Sequence, residues 1–330
     1  MRAIQAVKPG PASVLRAVDL PQPKPGPGQV LAKVAAAGVN FIDTYRRSGV
    51  YKVKFPHVPG SEGSGTVEAL GPDVTDLAVG DKIAWATSAS GSYAEYALVE
   101  AAQALPVPPG LDLAAAAALP LQGMTADYLV RAVFPVGPNH TAVLYAAAGG
   151  VGQLATQMIL ASGAHLIAVT GSAEKAERVV KLGVDPKNVI VLSTLASIDL
   201  DLPQAVRDLT GGLGAHVVYD SIGRDTFAAS LSSLRRRGTL VLFGGSSGQV
   251  PPFDPQELNA HGSLYLTRPT LADYTATRQE LLGRAGRVFS AATAGSLRVT
   301  TDHRFALAEA ATAHQALEAR RTAGKVLLVP

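Results

Sequence analysis

The sequence predicts two architectures in succession: an antiparallel β domain over the first 120 residues, then an α/β region built as a doubly wound parallel sheet. Three observations predict this. The first is the stretch TAVLYAAAGGVG at 141–152, where a short apolar, β-rich run leads directly into a glycine-rich turn. The second is the alternation of apolar runs and helical patterns that follows it. The third is the different texture of the N-terminal part, where short alternating runs are divided by turns rich in Pro and Gly.

In the N-terminal part, RAIQAV, QVLAKVAAAGV, GSGTVEAL, DKIAWAT and GSYAEYALV alternate between apolar and polar positions, as half-buried strands do. PQPKPGPG (21–28) and VGD (79–81) interrupt them as turns. The alanine run 114–118 reads as a helix. Residues 141–146 have the length of one buried parallel strand. The hexapeptide Ala147-Ala148-Gly149-Gly150-Val151-Gly152 fits the dinucleotide fingerprint G-x-G-x-x-G with alanine in the first place. QLATQMILASGA continues as an amphipathic helix closed by Gly163, and HLIAVT (165–170) is the second strand. The chemistry requires this order. Gly149 lets the backbone approach a pyrophosphate, Gly152 lets the helix pack closely on its strand, and the helix N-terminus offers unpaired N–H groups to the anion.

Four more strands are predicted at VIVL (189–192), HVVYD (216–220), TLVLFG (239–244) and SLYLT (263–267), giving six. Between them, RDTFAASLSSLRRRG reads as a helix with a cationic last turn before Gly238. The last sixty residues carry a long helix from about Leu271, a helix near 306–320, and a final strand, KVLLVP. A terminal strand with no helix after it suits the first domain better than the nucleotide sheet. The expected division is therefore 1–122 plus 268–330 as a catalytic domain, with 123–267 inserted as the nucleotide domain.

The second strand also speaks to the nucleotide. NAD sites carry an acid at its end to accept the ribose 2′-hydroxyl. Here the strand ends Val169-Thr170-Gly171-Ser172, followed by Lys175 in the first helical turn and Arg178 one turn on. A hydroxyl and a cation where a carboxylate would repel phosphate argue for NADPH, weakened by the charge of Glu174; the alternative is that Lys175 is a solvated helix cation paired to a neighbouring Glu.

Composition agrees with a globular two-domain enzyme: 330 residues, 47% hydrophobic, 17% charged. Net charge is +3 and no basic run exceeds Arg235-Arg236-Arg237, so nothing calls for nucleic acid. The absence of cysteine excludes disulfides and thiolate metal sites. No signal peptide or membrane span is apparent, and cytoplasm is the default expectation. The seven histidines (57, 140, 165, 216, 261, 303, 314) show no short metal-ligand spacing, and His57 reads as a loop residue.

The order of β domain, fingerprint domain and returning C-terminus resembles the medium-chain dehydrogenase/reductase superfamily. The segments GVNFIDTYRRSGVY (38–51), AAAGGVGQLATQ (146–157), VVYDSIGRDTF (217–227), LFGGSSG (242–248) and GSLYLTRPTL (262–271) resemble its zinc-independent quinone oxidoreductases, the zeta-crystallin group. The resemblance implies a GroES-like β domain beside a Rossmann domain. Zinc alcohol dehydrogenases of the superfamily place cysteine near Asn40 and histidine before the glutamate matching Glu62; this chain has Asn40 and Ser61 there, so no metal is expected.

The resemblance implies Asn40 and Tyr51 near nicotinamide and substrate, and Gly149, Gly150, Val151 and Gly152 on the pyrophosphate. It implies Ser172 and Lys175 on the 2′-phosphate, Phe243 and Ser246 near the nicotinamide ribose, Leu266 on the carboxamide through its backbone, and Arg320 from the C-terminal lobe. Leu192 departs from relatives that carry a tyrosine nearby over the adenine phosphate. Asn40, Tyr45, Tyr51 and Thr125 are the candidate hydrogen-bond donors for charge that develops on a conjugated acceptor. Two roles are open to Tyr45 and Tyr51: oxyanion donors, or caps on the β-domain core. Asp43 reads as a structural carboxylate and Lys325 as a strand-edge residue.

The expected activity is hydride transfer from NADPH to a quinone without metal. Reduction of enone or alkenal double bonds is the alternative in the same cleft, and an NADPH-binding nucleic-acid-binding or structural role is the alternative of another class. The sixth strand, 263–267, is expected at a sheet edge, where it would join a homodimer.

Overall fold

The structure is a computed structural model describing residues 1–330. It divides into two compact units: Met1–Met124 with Thr275–Pro330, and Thr125–Tyr274.

The first unit begins with the hairpin-like pair β1 (Arg2–Ala6) and β2 (Leu15–Asp19), followed by β3 (Gln29–Val39), α1 (Phe41–Ser48), β4 (Glu62–Leu70), β5 (Lys82–Trp85), β6 (Tyr96–Glu100), β7 (Leu105–Pro106), α2 (Leu113–Ala116) and the start of α3 (Pro120–Tyr128), a helix that continues into the second unit at Thr125. β3 is the central strand. It pairs antiparallel with β4, with β6 and with a strand from the far end of the chain, and most of its residues are buried. Val30, Val34, Ile83, Trp85, Val99 and Leu328 form the core beneath it. The buried Trp85 indole N–H donates to Ser92 Oγ at 2.8 Å, so the largest core side chain leaves no unpaired donor.

α1 starts at Asn40, whose backbone N–H donates to Asp43 Oδ2 at 2.9 Å, and ends at Gly49 with φ 89°, the left-handed stop that glycine adopts without strain. The Asn40 side chain takes no part in that cap.

The second unit holds β8 (Thr141–Tyr145), α4 (Gly150–Ala161), β9 (His165–Thr170), α5 (Ala173–Lys181), β10 (Val189–Val191), α6 (Ile198–Leu209), β11 (Ala215–Asp220), α7 (Phe227–Ser232), β12 (Leu234–Leu242), α8 (Gln256–Ala260) and β13 (Tyr265–Thr267). The six strands are parallel, in the order β10-β9-β8-β11-β12-β13. Numbered within this sheet, that is 3-2-1-4-5-6, the doubly wound order, with its switch point between β8 and β11. Val143, Tyr145, Ile167, Val169, Val218 and Leu240, in register with one another, bury one face of the sheet, and Leu144, Ala168, Tyr219 and Val241 bury the other, as a parallel sheet needs.

The chain returns to the first unit as α9 (Arg278–Thr293), β14 (His303–Ala306), α10 (Ala310–Glu318) and β15 (Val326–Val329). β15 is the strand that pairs with β3.

Two expectations are corrected. The helix predicted through RDTFAASLSSLRRRG stops at Ser232, and Arg235, Arg236, Arg237 and Gly238 lie in β12, because Leu234 already pairs with Ala215 across an irregular start to the ladder. The long helix begins at Arg278 rather than Leu271: Thr277 accepts the Glu280 N–H and Glu280 reaches back to the Thr277 N–H, a capping box that sets the start.

Candidate active site

In the second unit the candidate cofactor residues gather at the carboxyl ends of the strands. The turn after β8 brings Gly149, Gly150, Val151 and Gly152 to the start of α4, whose first N–H groups have no acceptor one turn earlier and whose first turn carries no acid. The turn is built for close approach. A Cβ on Gly152 would lie 2.1 Å from Ala146 O, and one on Gly149 3.0 Å from the same oxygen. This cradle fits a pyrophosphate, which takes its ligands from backbone N–H groups.

After β9, Ser172 caps α5 by accepting the Lys175 N–H at 3.4 Å, which leaves its own hydroxyl hydrogen free to donate and brings Ser172 and Lys175 together. Arg178 lies 3.9 Å from Glu174, so the opposing charge in that turn is partly taken up by its i+4 neighbour. Leu192 opens a short 3₁₀ turn after β10 and packs on the apolar core.

The loops after β11 and β12 run side by side: the N–H groups of Phe243, Ser246 and Ser247 donate to Asp220, Ser221 and Ile222 carbonyls. Asp220 organises them, accepting from the Ile222 and Gly223 N–H groups and from the Thr226 and Ser230 hydroxyls at 2.8 to 3.0 Å. Its burial pushes the carboxyl up from its ordinary range, against the pull of these four donors. Phe243 and Ser246 are half-buried in this pair of loops, and Leu266 stands in β13 opposite Leu240.

In the first unit a cluster of buried polar side chains lies around the start of α1. Glu62 and Lys325, both fully buried, form an ion pair. Lys325 Nζ also donates to Asn40 Oδ1 at 3.0 Å, Asn40 Nδ2 donates to Glu62 Oε2 at 2.9 Å and to Gly38 O at 3.3 Å, and Gln122 Nε2 donates to Asn40 Oδ1 at 3.0 Å. Glu62 Oε1 accepts the Leu121 N–H at 2.7 Å. Gly38 is required here, since a Cβ would meet Glu62 Oε2 and Lys325 Nζ.

This cluster corrects two expectations. Lys325 is no strand-edge residue; it is a buried cation paired with Glu62. Asn40 is held as an internal strut: both Nδ2 hydrogens are donated within the protein and Oδ1 accepts twice, so in this arrangement it has no donor left for a substrate oxygen.

Asp43 is structural, accepting from the Asn40 and Ser61 N–H groups and from Ser61 Oγ, and its burial raises its carboxyl pKa. Arg46 extends this line by donating to Ser61 Oγ at 2.8 Å. Tyr45 and Tyr51 pack edge to face with ring centres 5.4 Å apart, and Tyr51 is 39% exposed. Thr125 is buried in α3, and Arg320 is exposed just past α10. The sequence reading missed Glu62, Gln122 and Lys325 as a cluster; the visible signal was a lone Lys and a lone Gln, each set in an apolar run, GKVLLV and LPLQGM.

Residues 26–109 match the family model described as alcohol dehydrogenase GroES-like domain, and residues 150–284 match the one described as zinc-binding dehydrogenase. Together these define a dehydrogenase of the medium-chain class, a GroES-like domain joined to a Rossmann-like nucleotide-binding domain. Within that class the chain belongs to the quinone oxidoreductase family. It is 40% identical over 330 residues to a quinone oxidoreductase of Pseudomonas aeruginosa, covering 100% of this chain and 99% of the relative. It is 39% identical over 313 residues to the 2-haloacrylate reductase of a Burkholderia species, covering 93% and 92%. The solved structure of a mycobacterial protein complexed with NADPH superposes with a TM-score of 0.96 at 45% identity, covering both chains completely.

The name of the second model implies zinc, and the residues here do not fit it. There is no thiolate in the chain, Asn40 and Ser61 offer neither sulfur nor imidazole, and the Lys325 ammonium is already bonded to the oxygens of Asn40 and Glu62. No helix is long and apolar enough to cross a membrane.

Proposed function

We propose that this protein is an NADPH-dependent quinone reductase acting without a metal. What supports the reading is the carboxyl edge of the parallel sheet, where a tight glycine turn follows β8 and, after the neighbouring β9, Ser172 and Lys175 stand at a strand end that carries no acid. Family membership and the NADPH complex of a 45% identical neighbour support it.

When bound, NADPH supplies the hydride. Overall, quinone, NADPH and one proton give hydroquinone and NADP⁺, the proton coming from solvent. Gly149, Gly150, Val151 and Gly152 hold the pyrophosphate through backbone N–H groups, and Ser172 and Lys175 hold the 2′-phosphate. Phe243, Ser246, Leu266, Thr125 and Arg320 complete the cofactor site. With the Asn40 amide committed inside the protein, Tyr51 is the donor assigned to the developing oxyanion, with Tyr45 packed against its ring. The same reading keeps 1–122 with 268–330 as the catalytic domain and 123–267 as the NADPH domain, in a cytoplasmic homodimer joined through β13.

A second reading, reduction of an activated carbon–carbon double bond, is favoured by the 39% identity to a 2-haloacrylate reductase. A steady-state panel with NADPH in excess decides. Turnover of benzoquinones well above that of 2-chloroacrylate and butenone supports the quinone assignment; the reverse order overturns it.

A further inference from the structure

We infer that Gln122 is a ligand-binding residue, its side-chain carbonyl accepting a hydrogen bond from an N–H or O–H group of the bound cofactor or of the hydroquinone product. The inference builds on the NADPH-dependent reading above and assigns a contact to a residue outside the site proposed there.

The orientation of an amide is ordinarily ambiguous between O and N. Here its neighbours fix it. An ammonium can only donate, so the oxygen of Asn40 must face Lys325 Nζ. A carboxylate can only accept, so the nitrogen of Asn40 must face Glu62, which agrees. Asn40 Oδ1 therefore also faces Gln122, and Gln122 must turn its own nitrogen toward it, at 3.0 Å. That leaves Gln122 Oε1 as the outer end of the chain of contacts.

Gln122 Oε1 is buried and accepts no hydrogen bond from the protein, and the residue as a whole is only 8% exposed. A buried acceptor without a donor carries a desolvation penalty that nothing in the fold offsets. The cluster is held rigid by a buried ion pair, so Gln122 cannot turn to relieve itself without breaking its bond to Asn40. Its position is apt for a ligand: Thr125, assigned to the cofactor, lies three residues further along α3 and so on the same helix face.

The polarity of this acceptor is selective. A quinone oxygen, which cannot donate, gains nothing there. A carboxamide N–H, a ribose hydroxyl or a hydroquinone hydroxyl does. Lys325 and Asn40 are positioning residues in this arrangement, because they decide which end of Gln122 is presented.

The test compares the unmodified protein with Gln122→Met, similar in length and lacking both amide atoms, and with Gln122→Glu, which keeps an acceptor but, like Met, gives up the donor to Asn40 Oδ1. Dissociation constants are read by fluorescence titration with NADPH, with its 3-acetylpyridine analogue, which lacks the carboxamide N–H, and with benzohydroquinone in the presence of NADP⁺. Thermal melting without ligand reports folding. The expected result is a five- to tenfold loss of affinity in Gln122→Met for at least one ligand, with an unchanged ligand-free melting temperature and partial recovery in Gln122→Glu.

Loss for NADPH but not for the analogue identifies the carboxamide, and equal loss for both identifies a ribose hydroxyl. Loss confined to hydroquinone identifies the product. Unchanged affinities for all three ligands in Gln122→Met overturn the inference while leaving the quinone reductase reading intact. Failure of the unmodified protein to bind NADPH overturns that reading, and this inference with it.

Discussion

Arg47 Nη1 lies 3.2 Å from His314 Nδ1, and because a guanidinium can only donate, this contact fixes the imidazole in its Nε2–H form. The Nε2 hydrogen then goes to Tyr93 OH, 3.0 Å away, and the Tyr93 hydroxyl points on to Asp43. Arg47 is itself held by Glu318 through both terminal nitrogens. A line of buried polar groups therefore ties α10 to the start of α1. Burial, and then the charge of Arg47, lowers the His314 pKa to about 3.

That shift makes stability depend on pH with a definite sign. In the unfolded chain His314 takes up a proton near pH 6.5, whereas in the folded protein it does not until about pH 3. Its neutral form therefore supports the fold fully above pH 6.5, and this support is lost as pH falls from 6.5 toward 3. Between pH 7.5 and 5.5, His314→Gln, which keeps an acceptor for Arg47 and a donor for Tyr93, should lose less stability than the native protein. The difference should be about 1.4 kcal/mol at pH 5.5 by urea denaturation. Parallel pH profiles for the two proteins would contradict it.

Gly152→Ala tests the glycine turn. The added Cβ, 2.1 Å from Ala146 O, meets backbone atoms of Ala146 and Ala147 and no flexible side chain that could move aside. A loss of about 1–3 kcal/mol in stability is expected, together with weaker NADPH binding. A native melting temperature with native affinity would show that the turn can open without cost.

Cofactor choice rests on Ser172 and Lys175. NADPH should bind at least about tenfold tighter than NADH, the equivalent of one charge-assisted contact of about 1.4 kcal/mol. Lys175→Ala should remove most of that preference and leave NADH affinity alone. Equal affinities in the native protein would count against the assignment.

Tyr51→Phe should lower kcat by about tenfold or more with little change in NADPH affinity, if its hydroxyl steadies the developing oxyanion. With its ring packed edge to face on Tyr45 and 39% exposed, Tyr51 loses little packing in this change. An unaltered kcat would return it to capping the β-domain core.

The dimer prediction concerns β13, an edge of the six-stranded sheet, with Tyr265 63% exposed on it. Leu264 is a poor place for a proline test, because its N–H already donates to Leu258 O within the chain. Leu266→Pro and Tyr265→Glu should shift the mass in dilute solution from dimer to monomer. A dimer indifferent to both would place the contact elsewhere.

Much of the fold was legible because its signals are local. Each of the six parallel strands announces itself as a short apolar run, and the glycine turn after β8 carries its own spacing. What failed was the boundary at Arg235, Arg236 and Arg237, where three cations in a row look like a helix end but lie in a strand entered through an irregular pairing with Ala215. The buried cluster was less legible still. Glu62 and Lys325 are 263 residues apart and Asn40 and Lys325 are 285 apart, so no window of sequence contains the partners that define them. A lysine beside VLLV signals burial only once β15 is known to lie against β3, and a strand's partner is a property of the whole chain.

The span of the Lys325–Glu62 pair also sets an order on synthesis. While the chain emerges from the ribosome, every strand of the nucleotide-binding unit, Thr125–Tyr274, is available before residue 325 is made. The first unit, although begun earlier, must wait with the Glu62 carboxylate unneutralised and one side of β3 without its β15 partner. The part of the protein translated first is therefore completed last, and truncation shortly before Lys325 leaves a finished nucleotide fold beside an antiparallel domain that lacks its internal cation.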